Sequence, residues 1–238
     1  MQGVVSGVHK TGYNVIVKNK TYFCITNNSY SSPDKPAVGD KVILQKVEDQ
    51  HLILEHLPRK TIIGRYDHER NKFQTFAVNV NVVFVVTSAN KEFSPNRIQR
   101  FLNLVKDQPI RKVIVITKKD LTDNMNDYID QLSEIEDIEV TTINSTCPDD
   151  VFGLLNFVKR GQTMLLMGSS GVGKSTITNT LTGLSIKTQP VMSDKHGNRG
   201  KHTTSSRNMY PLPDNKKIID SPGIKIISTE DCPPTMRR

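Results

Sequence analysis

The sequence has few cysteines and no long apolar run. Its 238 residues include three cysteines, Cys24, Cys147 and Cys232, which are far apart and show no CxxC or Cys/His ligand spacing. We therefore expect a reduced, cytoplasmic chain with neither a disulfide framework nor a zinc site. No apolar run approaches the ~18 residues needed to cross a bilayer. Residues 1–5 lack the basic and apolar segments of a secretory signal, so no such signal is expected. We also expect no membrane partner.

The composition is that of a globular protein with a basic bias. Hydrophobic residues make up 36% of the chain and charged residues 24%, which argues against wholesale disorder. The length fits one large domain or two unequal domains. The net charge is +8, and residues 161–238 hold most of the excess, with 11 basic against 5 acidic residues. Such an excess is typical either of a solvated basic loop or of a surface that binds phosphate.

Residues 1–60 predict a small β-barrel. Four short runs rich in β-branched and aromatic residues lie at 13–17, 21–25, 41–44 and 51–54, and turn-forming residues separate them. Strands at this spacing indicate an OB-fold, although a small SH3-like barrel gives the same pattern.

Residues 61–238 predict an α/β domain. Continuous apolar runs, such as those at 82–86 and 164–167, are typical of strands buried on both faces. Between the runs, apolar residues recur at helical spacing, and the Ser94-Pro95 pair marks a helix start. Alternation of strand and helix indicates a mostly parallel sheet with right-handed crossovers.

A match to GxxxxGK[ST] follows the run at 164–167. It lies between a predicted strand and a predicted helix, the context in which this pattern indicates a phosphate-binding loop rather than a glycine-rich turn without a ligand. Backbone N–H groups would surround the phosphates, assisted by the helix N-terminus. Lys174 is expected to reach the β- and γ-phosphates, and Ser175 to offer its hydroxyl to Mg²⁺. The predicted nucleotide-binding residues are Gly168, Ser169, Ser170, Gly171, Val172, Gly173, Lys174, Ser175 and Thr176.

A second motif, Thr117-Lys118-Lys119-Asp120, follows the apolar run at 113–116 and fits [NT]KxD. Guanine presents its N1–H and its N2 amine side by side, and one carboxylate can accept from both. Adenine lacks this pair of donors, so Asp120 would favour guanine over adenine. The Lys118 stem can lie along the face of the base. A plain surface turn is the alternative, but the carboxyl end of a strand is where α/β sheets bind ligands.

A third motif, Asp220-Ser221-Pro222-Gly223, fits DxxG and follows the predicted strand at 216–219. Asp220 would hold Mg²⁺ through a water molecule and the Gly223 N–H would contact the γ-phosphate, although a simple Ser-Pro-Gly turn is the alternative. In ordinary GTPases the base-binding motif comes last, whereas here it precedes the phosphate loop. Only 18 residues follow Asp220, too few for the missing strands and helices. We therefore predict a circularly permuted GTPase domain, a rearrangement that neighbouring termini permit.

A small barrel followed by TKKD, GSSGVGKS and DSPG in this order resembles the ribosome small-subunit-dependent GTPases of the RsgA (YjeQ) type. The string Gly200-Lys201-His202-Thr203-Thr204 is similar to the family's switch I. The resemblance implies a cytoplasmic GTPase that hydrolyses GTP to GDP and phosphate during maturation of the small (30S) ribosomal subunit. It also implies binding to the subunit and its 16S-type rRNA, and a low intrinsic rate that the subunit stimulates. We expect a monomer that binds Mg²⁺ with GTP or GDP.

The resemblance also implies catalytic roles for residues of the switch I string. Thr203 or Thr204 would complete the Mg²⁺ shell, and Lys174, through its contact with the β- and γ-phosphates, would be catalytic as well. Ile224 stands where many GTPases place a water-orienting glutamine, so the resemblance nominates His202 for that task. An ordinary polar loop histidine is the alternative for His202.

Two loops depart from the family pattern. Asn144-Ser145-Thr146 is the candidate for the last base-contacting loop, with Ser145 as its binding residue, although the family usually has Ser-Ala. Thr117 replaces the commoner Asn. We expect this replacement to remove an amide that would tie the base-binding loop to the phosphate loop, and so to loosen nucleotide binding.

Three functions fit these residues. The leading hypothesis is a GTP-hydrolysing ribosome-assembly factor. The second is an RNA-binding protein that binds nucleotide but hydrolyses little of it. Ile224 favours this second hypothesis, as does the end of the sequence, where the family's Cys/His zinc-binding module is expected to be absent because Cys232 has no nearby partner cysteines. The third is an ATP-dependent kinase or ATPase that shares only the phosphate loop, which TKKD and DSPG disfavour.

RNA binding is assigned to the predicted barrel of residues 1–60. An OB-fold binds nucleic acid with a positively charged groove and aromatic side chains on which bases stack. Each aromatic residue of the barrel is either such a platform or part of the core, and the candidates are Tyr13, Tyr22, Phe23 and Tyr30.

Overall fold

The computed structural model describes residues 1–32, 34–67, 71–136, 138–185 and 207–220. The strands in these ranges are β1 Gln2–Val8, β2 Tyr13–Val17, β3 Lys20–Thr26, β4 Lys41–Val47, β5 Gln50–His56, β6 Ile62–Asp67, β7 Lys72–Val78, β8 Val82–Ser88, β9 Arg111–Thr117, β10 Glu139–Thr142, β11 Thr163–Gly168, β12 Asn208–Pro211 and β13 Lys217–Asp220. The helices are α1 Pro95–Asn103, α2 Met125–Asp130, α3 Pro148–Gly153 and α4 Lys174–Thr182, with 3₁₀ turns at Lys119–Leu121, Leu154–Phe157 and Pro213–Asn215. None of the helices in the described ranges is long and apolar enough to cross a membrane.

The first five strands close into a barrel. Their order is β1-β2-β3-β5-β4, and β4 pairs back with β1. Strands β3 and β5 run parallel, whereas the other neighbours in the barrel are antiparallel. Alternate side chains point inward and form one core, which includes the fully buried Val5, Val15, Cys24, Val42 and Ile53. The closed strand order with its parallel β3–β5 pair confirms the predicted OB-fold rather than an SH3-like barrel.

Polar contacts connect the barrel to the segment that follows it. Arg59 donates from Nε and Nη2 to the two carboxylate oxygens of the fully buried Asp40, at 2.8 and 2.7 Å. The Val78 N–H donates to the Val38 carbonyl, and Asn79 Nδ2 donates to the Gly39 carbonyl, both at 3.0 Å. The paired charge and the backbone hydrogen bonds therefore fix the end of the hairpin β6–β7 against the barrel. The predicted division between residues 1–60 and 61–238 stays a prediction.

Strands β6 and β7 form a separate hairpin, and the other six described strands form the α/β part, in the order β10-β9-β8-β11-β13-β12. The first five of these run parallel, and β12 is antiparallel. Strands β8 and β11 are neighbours in the sheet although β9 and β10 lie between them in the chain, so the strand order reverses at this point. In parallel α/β sheets, ligands bind beyond the carboxyl ends of the strands at such a reversal. The mostly parallel sheet and the permuted order are confirmed.

Barrel and α/β sheet also meet edge to edge. Gly7 of β1 pairs with Asn208 of β12, so that the described strands apart from β6 and β7 form one continuous sheet. Across β12, Asn208 pairs in turn with Asp220 at the end of β13. A residue of the predicted nucleotide site is therefore two strands away from the barrel.

Candidate nucleotide-binding site

The predicted phosphate loop connects β11 to α4 beside the strand reversal. Gly168 ends β11 with a φ of +151°, and a side chain there would collide with the carbonyl of Val86 on the neighbouring β8. Gly173 caps the N-terminus of α4 with a φ of +99°, a conformation that residues other than glycine rarely adopt. The glycines of the motif thus occur where the backbone must turn tightly beside another strand, which is the geometry a phosphate cradle needs.

Lys174 is buried under this loop, with 6% of its surface exposed. Its ammonium group donates to the Gly168 carbonyl at 2.8 Å and to the Ser169 carbonyl. Burial lowers the pKa of Lys174 to about 8, and the nearby Asp220 carboxylate acts in the opposite direction. A cation held among loop carbonyls at this position can exchange those partners for phosphate oxygens.

Asp220 lies at the carboxyl end of β13, paired in register with Leu166 of β11. Burial raises the pKa of Asp220, and the positive charge of Lys174 opposes that rise. The carboxylate and the ammonium group therefore interact across the same end of the sheet. Ser175 and Thr176, in the first turn of α4, are both half-buried.

The base-binding motif follows β9, and its first residue is joined to the phosphate loop. The Thr117 hydroxyl lies 2.8 Å from the Val172 carbonyl oxygen and 3.0 Å from the Thr87 carbonyl oxygen, and its single proton serves these two acceptors. The residue is fully buried. The expectation that Thr117 removes the tie between the two loops is therefore wrong, because the hydroxyl supplies a hydrogen bond to the phosphate loop in place of an amide.

The rest of the motif turns outward after β9. Lys118 has a φ of +63°, which allows the tight turn into the 3₁₀ segment Lys119–Leu121. Lys119 forms an ion pair with Asp150, with 2.7 Å between Nζ and Oδ2. Asp120 is exposed, as a residue must be to accept hydrogen bonds from an incoming base.

The loop after β10 packs against the phosphate loop. Ser145 is 8% exposed, and a Cβ atom added to Gly173 would lie 3.1 Å from its Oγ. The preceding Asn144 donates its N–H to Asp150 Oδ2 at 2.6 Å. The Lys119 ammonium, followed by this N–H group, lowers the pKa of Asp150. Asp150 therefore holds the two loops that flank the expected position of the base.

A surface groove of about 490 Å³ lies beside these loops, lined by Lys119, Asp120, Met125, Thr142, Asn144, Cys147 and Asp150. The groove includes Asp120 but none of the phosphate-loop residues. It is therefore the outer flank of the base-binding loops rather than the phosphate site.

The motifs did not point to Arg97, which also reaches the phosphate loop. It lies in the first turn of α1, and its Nη1 is 3.2 Å from Ser169 Oγ. The Ser94-Pro95 start predicted the helix correctly, but no sequence pattern linked its first turn to a loop 72 residues away.

Several predicted site residues lie outside the described ranges, so their geometry stays a prediction. They are His202, Thr203 and Thr204 of the switch I string, and Gly223 of DxxG.

The fold and this site together define a phosphate-loop nucleotide-binding domain of the GTPase type with permuted strand order, joined to an OB-fold. The chain belongs to the RsgA GTPase family, whose model matches residues 56–230. The resemblance deduced from the motifs is thus confirmed.

Curated relatives carry the same assignment. The chain is 36% identical over 231 residues to "Small ribosomal subunit biogenesis GTPase RsgA" from Xanthomonas axonopodis pv. citri, an alignment that covers 91% of this chain and 61% of the relative. It is 37% identical over 204 residues to the protein of the same name from Xanthomonas campestris pv. campestris, covering 82% of this chain and 53% of the relative. The chain therefore spans between about half and three fifths of the length of these relatives.

Solved structures support the fold. The crystal structure of YjeQ from Thermotoga maritima matches with a TM-score of 0.70 and 23% identity, covering 93% of this chain and 74% of that one. The crystal structure of YloQ, described as a circularly permuted GTPase, matches with a TM-score of 0.65 and 21% identity, covering 95% and 72%.

Proposed function

We propose that this protein hydrolyses GTP to GDP and phosphate and acts in maturation of the small (30S) ribosomal subunit. One observation carries the proposal: the phosphate loop, the Thr117 loop and the Ser145 loop meet at the strand reversal of a chain that belongs to the RsgA GTPase family. The name of its curated relatives, small ribosomal subunit biogenesis GTPase, supplies the cellular process. As expected of such a factor, we propose a cytoplasmic monomer.

Guanine recognition is assigned to Asp120 and Lys118. The Asp120 carboxylate would accept from N1–H and the N2 amine of guanine, and the Lys118 stem would lie on the face of the base. An adenine nucleotide would leave the carboxylate without these donors, which disfavours ATP. The Thr117 hydrogen bond supports the assignment, since it fixes the base-binding loop relative to the phosphate loop.

The residues present also suit a magnesium ion. Magnesium in nucleotide sites is usually held by one or two protein oxygens together with phosphate oxygens and water, so no dense cluster of ligands is required. The described residues contain no group of three or more His, Cys, Asp or Glu side chains that could hold a metal ion. Ser175 and Asp220, the latter through water, would hold the ion, with Thr203 or Thr204 completing its shell. When bound, the ion would neutralise charge on the phosphates.

Hydrolysis is assigned to Lys174, His202 and Gly223. Lys174 would stabilise negative charge that develops on the γ-phosphate, as its position under the loop suggests. Ile224 cannot orient water, so His202 is proposed for that role. The Gly223 N–H would contact the γ-phosphate.

The barrel is proposed to bind 16S-type rRNA of the small subunit. Phe23 on β3 is 52% exposed, and the His9 ring lies beside it with 6.1 Å between centroids. Tyr22 is half-buried and its ring contacts the His51 ring at a tilt of 48°, whereas Tyr13 is 8% exposed and belongs to the core. An exposed aromatic ring is a stacking platform that accepts any base. Phe23 is thus the foremost platform among the aromatic candidates.

Steady-state phosphate release with and without purified small ribosomal subunits tests the proposal. We expect slow multiple turnover of GTP by the chain alone and faster turnover when subunits are added. Nucleotide and subunit binding without turnover would instead support the RNA-binding alternative with little hydrolysis. Equal turnover of ATP would contradict the role given to Asp120.

A further inference from the structure

Helix α1 brings a second basic side chain to the phosphate loop, in addition to Lys174. Arg97 Nη1 lies 3.2 Å from Ser169 Oγ, while the carbonyl of the same Ser169 accepts a hydrogen bond from the Lys174 ammonium. Two cations therefore contact one residue of the loop, one buried beneath it and one at its rim.

The position of Arg97 is electrostatically unfavourable within its own helix. A helix N-terminus carries partial positive charge and favours anionic side chains, yet the first turn of α1 contains Arg97 and no acidic residue. Glu92 lies before the helix, with 3.7 Å between its Oε2 and Arg97 Nη1, and both side chains are about half exposed. A surface pair at this distance contributes little to stability. Such a local conflict is more typical of a functional position than of a structural one.

Toward the described residues, the guanidinium group makes one side-chain hydrogen bond, to Ser169. It has five N–H donors in a planar fork, and this bond, at 3.2 Å, is at the long end of the ~2.7–3.2 Å range of N–H···O hydrogen bonds. Among the described residues, Glu92 is the carboxylate paired with it, at a distance beyond hydrogen bonding. The fork therefore suits a ligand with two acceptor oxygens, and a phosphate group offers that geometry.

We propose that Arg97 is a second cation of the nucleotide site, which exchanges Ser169 for a phosphate oxygen of the bound nucleotide and so favours GTP over GDP. GTP carries one more negative charge than GDP, and a cation at the rim of the loop therefore stabilises GTP more. This proposal rests on the proposed guanine-nucleotide site and adds a residue that sets its preference between the two nucleotides.

The test measures dissociation constants for GTP and GDP by titration calorimetry, at low and at high salt. We expect Arg97→Gln to weaken GTP binding about 10-fold, the loss of one hydrogen bond to a charged group, and to weaken GDP binding less. The loss should shrink at high salt because the side chain is partly exposed. Arg97→Lys should lie between the wild type and Arg97→Gln. Arg100→Gln is the matched control, since Arg100 lies one turn further along α1, is exposed, and should leave both constants unchanged.

The variant Ser169→Ala separates a charge effect from a loop-holding effect. If Arg97 contacts phosphate, Arg97→Gln will still weaken GTP binding when Ser169 is already Ala. The proposal is overturned if Ser169→Ala alone weakens GTP and GDP binding equally, by as much as Arg97→Gln does, and if the double variant is no weaker than either single variant.

Unchanged GTP binding in Arg97→Gln also overturns the proposal. Lys174→Ala is the positive control, since its loss of nucleotide binding would show that the site itself exists. A wild type that binds neither nucleotide would overturn the proposed function and this proposal with it.

Discussion

The two halves of the molecule use β-strands in different ways. Strands β8 and β11 are buried along their whole length, so what they present to a ligand is their ends: backbone groups, glycines and the loops that follow. Strand β3 of the barrel mixes buried and exposed positions, and its outward side chains, Phe23 among them, form the surface. A site formed by the backbone of one loop is recognisable in the sequence as a short motif. A surface formed by side chains from separate strands has no such motif.

This comparison predicts that nucleotide and RNA binding can be removed independently, and Lys174→Ala should have the largest effect. Removal of the buried cation should weaken GTP and GDP binding by about 100-fold or more, because the phosphates lose a desolvated charge partner. Binding of rRNA by the barrel should be unchanged. Lys159→Ala, at an exposed lysine outside the site, is the control for calorimetric titration. Normal GTP binding by Lys174→Ala would contradict the assignment of the loop.

The next largest effect is expected for Asp120→Asn. An amide cannot accept from both guanine donors, so GTP affinity should fall about 100-fold, the loss of hydrogen bonds to a charged group. Xanthosine triphosphate, which carries a carbonyl in place of the N2 amine, should bind the variant better than it binds the wild type. Competition titrations measure both changes, with Asp123→Asn as the exposed neighbouring control. If GTP affinity stays the same, another residue selects the base.

On the barrel side, Phe23→Ala should weaken binding to an rRNA fragment about 10-fold through loss of base stacking. GTP binding should not change. Val47→Ala, at an exposed apolar residue of β4, controls for general surface effects. Fluorescence anisotropy over a range of salt concentrations checks the result, because phosphate contacts weaken as salt rises whereas the stacking loss persists. Equal losses of rRNA affinity in Phe23→Ala and Val47→Ala would show that Phe23 does not stack on bases.

The smallest effect is expected where the sequence-based expectation was wrong. Thr117→Val removes the hydrogen bond to Val172 and leaves a buried carbonyl with one partner fewer, which should destabilise the domain by about 1 kcal/mol. Nucleotide affinity should fall several-fold, since the two loops are no longer joined. Thr117→Ser keeps the hydroxyl and should retain most of both properties. Denaturant unfolding and calorimetry measure them. A fully stable, tightly binding Thr117→Val would show that the hydroxyl is dispensable.

The sequence predicted those elements that have a clear local pattern. Continuous apolar runs identified the buried strands β8, β9 and β11, and the Ser94-Pro95 pair identified the start of α1. It did not predict β1, in which Gly3, Ser6 and Gly7 interrupt the apolar alternation, although β1 closes the barrel and pairs with β12. The hairpin β6–β7 was also missed.

Within the candidate site, the motifs gave the residues but not their partners. The Thr117 hydrogen bond and the Arg97 contact join residues 55 and 72 positions apart, and such distances leave no local pattern. Asp150 is a similar case: it forms an ion pair with Lys119 of the base-binding motif, and no sequence pattern indicates this contact.

A competition experiment on the purified chain tests the guanine preference of the site most directly. A fluorescent GDP analogue is bound first, and unlabelled GTP, GDP and ATP are then titrated in the presence of Mg²⁺. We predict that GTP and GDP displace the analogue at similar low concentrations and that ATP fails to do so even at much higher ones. Displacement by ATP at the same concentration as GTP would contradict a site that combines the phosphate loop with a guanine-selective Asp120.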